Sequence, residues 1–285
     1  MKYFDCHCDT LVKMYPSGKD FYKNGFDCDL SLLNSEDEAH VVYAVFNDGS
    51  YSRRDMLAIF EYFKEKSMSI KNAKAYLSVE GLGNQPDFCI DDIKLYSSYG
   101  IRMASLCWND DNALCGGIGN NSSGLTALGK RVVKELEKYS VIPDVSHASD
   151  RTCREIVELS GISVCASHSN SRSICNHPRN LSDSEFKLIA ESGGVVGINL
   201  YPDFVGKSAD IESVILHIEH FLSLNGENNI GLGTDFDGID KKTAELENCG
   251  MIYKLKDKLL AKGYNESFIN KIFFENFIEL FKKYE

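Results

Sequence analysis

Six short segments of this chain carry side chains that bind divalent metal ions, transfer protons or hold anions. They are His7-Cys8-Asp9, Glu80-Gly81, Asp144-Val145-Ser146-His147, Ser167-His168-Ser169, His177-Pro178-Arg179-Asn180 and Gly233-Thr234-Asp235-Phe236-Asp237-Gly238. Most of them follow directly on an apolar run that is typical of a buried β-strand. Imidazoles and carboxylates together suit Zn²⁺, with Mn²⁺, Co²⁺ or Fe²⁺ as alternatives. Their repetition along the chain predicts a single active site that is formed by the ends of several strands.

The first segment places an imidazole and a carboxylate two residues apart. Alternate side chains of a strand point to the same face, so His7 and Asp9 should both reach one metal ion. The same alternation predicts that Cys6 and Cys8 point to the opposite face, toward the packing helices. This argues against a thiolate zinc site, although a single His-x-Asp motif is a weak signal.

Three further metal ligands are predicted at strand ends. Glu80 ends an apolar run, and a carboxylate buried there must be paired or bound to a cation. A helix cap or a salt bridge is the alternative for this residue. His147 and His168 each follow a serine at the end of consecutive strand-like runs. A lone histidine is more often structural, but two with the same placement favour metal binding.

Two loops add candidates for proton transfer and substrate binding. Asp235 ends the last strand-like run, and Asp237, two residues on, is placed on the same face. A calcium loop is not indicated, because the remaining ligand positions of such a loop do not follow. Arg179 could hold a substrate carboxylate by two parallel hydrogen bonds. A surface position or a salt bridge to Asp183 is the alternative.

The order of elements predicts how these segments are brought together. Eight strand-like runs lie at roughly 2–9, 39–47, 74–79, 101–106, 141–145, 162–166, 194–200 and 229–234, and amphipathic helices at 125–139, 182–192, 211–224 and 266–283. Eight strand–helix alternations without a linker predict an α/β fold, namely a (β/α)8 TIM barrel. The barrel is expected to form one domain, 1–285. Its metal site is expected at the C-terminal ends of the strands. A doubly wound open sheet is the alternative. The longest stretches without periodicity, 10–35 and 107–124, would overhang that face.

Composition argues against several classes of partner. The net charge of -11 disfavours nucleic acid and anionic membranes. No apolar stretch reaches the length of about 18 residues that a membrane span needs. The first predicted strand begins at residue 2, and the N-terminus lacks the features of a signal peptide. The ten cysteines are scattered and do not form a disulfide framework, so we expect a cytoplasmic protein. From the charge and the lack of a membrane span, we expect no nucleic-acid or membrane partner.

Taken together, the six segments resemble those of the membrane (renal) dipeptidase family, zinc metallopeptidases with an amidohydrolase-type barrel. The resemblance spans the chain from residue 5 to residue 238. It implies that one zinc ion is bound by His7 and Asp9 and the other by His147 and His168, with Glu80 bridging the two. It also implies that Arg179 binds the carboxylate of the substrate and that Asp235 acts as the acid and base.

The expected function is that of a dipeptidase with two Zn²⁺ ions, other divalent metals being possible, and a hydroxide that bridges them as nucleophile. Its substrate would be a small dipeptide, including dipeptides with a C-terminal D-residue. Trp108 and Tyr201 are expected to contact the substrate, and Trp108 stands where the animal dipeptidases have a histidine. The alternatives are a binuclear-metal amidohydrolase acting on another small amide or lactone, and a metal-binding protein without turnover. A homodimer is considered as the oligomeric state.

Overall fold

A parallel β-sheet organises the chain in this computed structural model, which describes residues 1–120 and 122–285. Its strands are β1 Lys2–Cys8, β2 Glu38–Phe46, β3 Ala73–Glu80, β4 Ile101–Ser105, β5 Ile142–Asp144, β6 Val196–Ile198 and β7 Ile230–Leu232. They lie in the order β5-β4-β3-β2-β1-β7-β6. All pairs are parallel, so every strand ends at the same edge of the sheet.

A short segment joins the two outermost strands and completes the ring. Cys165 bonds to the backbone of Pro143 and Val145 on one side, and Ala166 bonds to Val195 and Gly197 on the other, at 2.8–3.1 Å. The strand predicted at 162–166 is therefore reduced to two bridging residues between β5 and β6. The (β/α)8 prediction is confirmed, and the open sheet is not what forms.

Helices cover the outside of the sheet. They are α1 Thr10–Ser17, α2 Arg53–Ser67, α3 Asp91–Ser98, α4 Ala127–Lys138, α5 Asp150–Leu159, α6 Asp183–Glu191, α7 Pro202–Val205, α8 Ile211–Ser223, α9 Tyr253–Ala261, α10 Glu266–Asn270 and α11 Asn276–Lys282. The predicted helix at 266–283 is divided, because Lys271–Glu275 form a π-helical turn between α10 and α11. In the described ranges, no helix combines the length and the apolar character needed to cross a bilayer.

The stretch 10–35, in which the sequence shows no periodicity, contains α1. The helix has only eight residues, too few for a repeating apolar face to stand out. It ends at Gly18, whose backbone is left-handed with φ 65°. Asp9 occupies the N-cap position but its side chain makes no capping hydrogen bond. The carboxylate of Asp9 is therefore free to face the interior of the barrel mouth.

The barrel interior holds its own hydrophobic cluster, to which the C-terminal helices contribute. Phe4 of β1 stacks on Phe277 with ring centroids 5.5 Å apart. Gly231 of β7 makes room for this ring, since a Cβ there would lie 2.3 Å from Phe277 Cδ2. Arg102 at the start of β4 donates to the carbonyl of Phe281 at 2.9 Å. The C-terminal helices thus cover the N-terminal end of the barrel, and the opposite end remains for a site.

A β-bulge in β1 changes the direction of one cysteine. Asp5 pairs with Val41 and Cys8 with Tyr43, so β1 contains one more residue than β2 between these pairs. Cys6 consequently lies inside the barrel, with its Sγ 4.0 Å from Met103 Sδ, whereas Cys8 packs in the outer cluster. The prediction that both cysteines point toward the helices is wrong for Cys6, because strict alternation does not hold across a bulge.

The packing of the C-terminal helices leads to a stability prediction. Phe277→Ala should lower the free energy of unfolding by about 3–5 kcal/mol, because it leaves a cavity in the barrel interior. The matched control is Leu216→Ala on α8, whose side chain is 48% exposed, and which should change stability by less than about 0.5 kcal/mol. Urea unfolding followed by circular dichroism measures both. Equal losses in the two variants would contradict the assignment of Phe277 to the core.

Candidate active site

The ends of β1 and β3 bring one imidazole together with three carboxylates. His7 Nε2 lies 3.4 Å from Asp9 Oδ2, 3.5 Å from Glu80 Oε2 and 3.9 Å from Asp235 Oδ1. The register shift of β1 lies between Asp5 and Cys8, and the side chains of His7 and Asp9 nevertheless converge as predicted. Asp235 reaches the group from the loop after β7, where its N–H donates to the carbonyl of His7 at 3.1 Å.

Glu80 also faces a second group, formed by two imidazoles. Its Oε1 lies 2.8 Å from His147 Nε2 and 3.7 Å from His168 Nε2. The two Nε2 atoms are themselves 2.9 Å apart. Each oxygen of this one carboxylate is thus directed at a different set of ligand atoms.

The residues present fit a divalent metal centre. His7 Nε2 and Asp9 Oδ1 are buried and make no hydrogen bond, which is unusual for buried polar atoms. The groups whose ligand atoms lie within 4.8 Å of one another are His7-Asp9-Glu80, Glu80-His147-His168 and His7-His168-Asp235. Imidazole nitrogens with carboxylate oxygens are the donor set of zinc and related ions.

The distal nitrogens of two imidazoles are held by neutral partners. His147 Nδ1 lies 2.8 Å from Asn109 Oδ1. His168 Nδ1 lies 2.7 Å from Ser167 Oγ, which donates to Asp144 Oδ2 at 2.5 Å. Acceptors at Nδ1 keep the proton there and leave the Nε2 lone pair directed at the centre. Asp144 and neighbouring serines are expected from the sequence, but Asn109 is not, because it lies in the non-periodic stretch 107–124.

The pKa values of His147 and His168 are shifted in the opposite direction from that of His7. Burial lowers the pKa values of His147 and His168 well below the usual range, and nearby Arg179 acts in the same direction. Both rings are therefore neutral and able to bind a metal. Burial would lower the pKa of His7 too, but the carboxylates around it, Glu80 foremost, raise that pKa to about 10.

The carboxylates of the group are also perturbed. Burial raises the pKa of Glu80 to about 8 and that of Asp235 to about 6, and the charge of Asp9 adds to both shifts. Three carboxylates at one place, of which Asp9 and Glu80 are buried, repel each other unless positive charge lies between them. Divalent ions at the two ligand groups would supply such charge, and His7 would then bind as a neutral imidazole.

Two site residues that follow strands, His147 after β5 and Asp235 after β7, have left-handed backbone conformations. The φ angle is 68° at His147 and 63° at Asp235, values that cost energy for residues other than glycine. Gly238 lies directly beneath, and a Cβ there would lie 2.1 Å from Asp9 Oδ2 and 2.5 Å from Asp235 Oδ1. The final glycine of the last segment is thus required for the close approach of these carboxylates.

Asp237 does not share the face of Asp235. Its carboxylate accepts hydrogen bonds from Thr10 Oγ1 at 2.5 Å and from the N–H groups of Asp27 and Cys28 at 3.1 and 3.2 Å. The prediction of a common face is wrong, because Asp235 and Asp237 both have positive φ and the alternation of an extended strand does not apply. Asp237 instead holds the loop that follows α1.

Arg179 is buried beside the second group. Its Nη1 donates to Ser169 Oγ at 2.8 Å and its Nη2 to the carbonyl of His168 at 3.0 Å. Its Nε is buried and makes no hydrogen bond. The alternative of a salt bridge to Asp183 is not realised, since Asp183 lies 2.8 Å from His220. The guanidinium therefore retains hydrogen-bonding capacity for an anion.

The two aromatic residues that are expected to contact the substrate have different neighbours. The half-buried Trp108 has its ring 6.1 Å from that of His147 and 5.2 Å from that of Phe46. Tyr201 is the N-cap residue of α7 and packs edge-on against Phe204, with ring centroids 4.8 Å apart. Trp108 thus adjoins the metal-ligand group itself, whereas Tyr201 lies next to the loop after β6.

Comparison with known proteins decides the family. A family model described as membrane dipeptidase, peptidase family M19, matches residues 63–285. The chain belongs to this family. The predicted relationship is therefore confirmed, and with it the class of metallopeptidases that hydrolyse peptide bonds. His7 and Asp9 lie before the matched residues, and the structure shows only that they lie beside Glu80.

Two curated proteins and one solved structure illustrate the relationship. An uncharacterized protein in the pqqA 5' region of Klebsiella pneumoniae is 28% identical over 204 residues, 67% of this M19 chain and 75% of the relative. An uncharacterized dipeptidase of Schizosaccharomyces pombe is 30% identical over 200 residues, 68% of this chain but only 49% of that protein. A metallopeptidase of Rhodobacter sphaeroides, crystallised with a phosphinate mimic of the dipeptide L-Ala-D-Ala, superimposes with a TM-score of 0.89 at 21% identity, covering 100% of this chain and 99% of the other.

The geometry of Glu80 leads to a prediction about metal binding. Zinc-loaded protein should hold two divalent ions per chain, and Glu80→Gln should weaken binding by more than about tenfold, since it removes the shared negative charge. Metal analysis after dialysis and calorimetric titration measure both quantities. The control Glu227→Gln alters an exposed carboxylate that pairs with Lys271 and should bind zinc normally. Unchanged zinc affinity in Glu80→Gln, with the fold intact, would remove Glu80 from the ligand set.

Proposed function

We propose that this protein is a dipeptidase that hydrolyses the peptide bond of small dipeptides with two divalent metal ions, zinc foremost. The observation that carries the proposal is the position of Glu80, whose two oxygens face two separate groups of ligand atoms. We assign His7 and Asp9 to one ion and His147 and His168 to the other, with Glu80 shared.

The proposed reaction divides its tasks among the buried groups. When bound, the metal ions lower the pKa of water toward neutrality and polarise the carbonyl of the substrate. Asp235 has one carboxylate oxygen directed at the ligand group, 3.9 Å from His7 Nε2. We assign it the role of taking the proton from the attacking water and giving it to the leaving amine. Neutral Nδ1 partners at His147 and His168 keep both rings oriented throughout.

We further propose that Arg179 restricts the enzyme to substrates with a free C-terminal carboxylate. The support is a guanidinium that is only 5% exposed, is oriented by Ser169 and the His168 carbonyl, and keeps a buried Nε without a partner. A carboxylate can accept parallel hydrogen bonds from such a group. Longer peptides would place a neutral amide there instead.

The proposal includes dipeptides with a C-terminal D-residue. The structural relative from Rhodobacter sphaeroides was crystallised with a mimic of L-Ala-D-Ala, and its fold covers the whole of this chain. A panel of L,L and L,D dipeptides offered to zinc-loaded protein tests the function directly. Hydrolysis of dipeptides supports it. Turnover of only lactones or other amides would instead favour a broader amidohydrolase.

A single domain, a cytoplasmic location and a homodimer stay predictions from the sequence. The ten cysteines are all free thiols, which agrees with a reducing compartment.

The role of Asp235 leads to a kinetic prediction. Asp235→Asn keeps the shape of the side chain but cannot exchange a proton, so kcat should fall by about 10²–10⁴-fold with metal content unchanged. Steady-state kinetics and metal analysis on the same samples give the answer. Asp257→Asn, an exposed substitution on α9, is the matched control. A near-native kcat for Asp235→Asn would exclude it from proton transfer.

The role of Arg179 leads to a prediction about substrate selection. Arg179→Ala should lower kcat/KM for a dipeptide by roughly tenfold to a hundredfold, the loss of a charged hydrogen-bonded pair. It should hardly affect the slower cleavage of the same dipeptide amidated at its C-terminus. Arg131→Ala, on the exposed side of α4, should leave both substrates unaffected. If the wild type cleaves acid and amide equally well, Arg179 does not bind the carboxylate.

A further inference from the structure

Asn199 is a buried amide that directly contacts the proposed acid and base. It follows β6 and is fully buried. Its Nδ2 lies 2.9 Å from Asp235 Oδ2 and 3.5 Å from the carbonyl oxygen of His168. That carbonyl also accepts the hydrogen bond from Arg179 Nη2. One amide therefore connects the carboxylate of Asp235 to the segment that carries a metal ligand and orients the guanidinium.

The orientation of the Asn199 amide is fixed by a backbone donor. The N–H of Tyr201 lies 2.6 Å from Asn199 Oδ1. A backbone N–H can only donate, so the amide atom facing it must be the oxygen. The NH₂ group consequently faces Asp235 and donates to its Oδ2.

The backbone of Asn199 is held as firmly as its side chain. Its N–H donates to Asn170 Oδ1 at 3.0 Å, and Asn170 Nδ2 donates to its carbonyl at 2.9 Å. Asn170 is also fully buried and lies two residues after His168. The two asparagines thus form a reciprocal pair between neighbouring strand ends, and this pair positions the amide before any substrate binds.

The two oxygens of Asp235 are distinguished by these contacts. Oδ2 accepts the hydrogen bond from Asn199, whereas Oδ1 faces His7 at 3.9 Å and approaches Gly238. Within this left-handed turn, the hydrogen bond from Asn199 favours the observed rotamer of Asp235. A neutral donor at Oδ2 can select it without adding charge to a group that already contains three carboxylates.

We propose that Asn199 is a positioning residue, whose amide holds Asp235 Oδ2 so that Oδ1 is the oxygen presented to the scissile amide. This inference rests on the proposed function, in which Asp235 transfers the proton. It assigns Asn199 no contact with the substrate. Its loss should therefore lower kcat while KM stays nearly constant.

Two substitutions of similar volume separate positioning from packing. Asn199→Leu removes the donor and should lower kcat by about tenfold to a hundredfold, the usual effect of a misplaced catalytic group, with KM changed less than about threefold. Asn199→Asp keeps the shape but places a second carboxyl group against Asp235, and it should be impaired at least as strongly. Asn199→Leu with native kcat would overturn the inference.

A double-mutant cycle tests whether Asn199 acts through Asp235. In the Asp235→Asn background, Asn199→Leu should lower kcat by no more than about twofold, because the group it positions is already inactive. Independent, multiplying effects would overturn the inference. The control Asn229→Leu also removes an amide donor, which is half-buried and bonds to the carbonyl of Gly194, but it lies at the opposite end of β7 from Asp235. It should lower stability and leave kcat as in the wild type.

A readout without turnover separates this inference from the proposed function. In a crystal structure of zinc-loaded Asn199→Leu, the Asp235 carboxylate should leave its native rotamer while the metal ligands stay in place. An unmoved carboxylate would overturn the positioning role even in an active enzyme. If the wild type hydrolyses no dipeptide but the carboxylate moves as expected, the proposed substrate fails and the positioning of Asp235 by Asn199 stands.

Discussion

The burial of one shared carboxylate is the constraint on which this structure depends. Glu80 ends β3 with one oxygen facing His7 and the other facing His147. Burial raises its pKa, so its charged form needs positive charge on both sides. Parallel strands meet this requirement, because their carboxyl ends lie at one edge and can surround a single side chain. The C-terminal helices cover the other end of the barrel and leave this edge for the chemistry.

Local backbone strain is concentrated at the same edge. His147 and Asp235 both have positive φ, and their side chains lie beside Glu80 and His7, respectively. The turn at Asp235 further depends on Gly238, whose missing side chain leaves space for two carboxylates. Such conformations persist only when their surroundings hold them. The loop after α1, anchored by Asp237, is one such support.

Neutral groups orient the charged ones. Asn109 contacts His147, Ser167 contacts His168, and Asn199 contacts Asp235. Amides and hydroxyls can fix a tautomer or a rotamer without changing the charge of a site that already holds three carboxylates and Arg179. The half-buried Trp108 adds an apolar wall beside His147. The site thus combines a charged interior with neutral side chains that orient its charged and metal-binding groups.

The sequence by itself determined the strand ends and the residue types placed there. His7, Asp9, Glu80, His147, His168 and Asp235 converge where the apolar runs predict, because each is fixed by a local pattern and by the common edge of a parallel sheet. Only the tertiary structure decided the direction of Cys6, the separation of Asp237 from Asp235, and the reduction of the run at 162–166 to two bridging residues. It also decided the positions of Asn109 and Asn199. These features depend on a bulge, on left-handed turns and on hydrogen bonds between residues more than 30 positions apart, and periodicity in the sequence contains no information about such contacts.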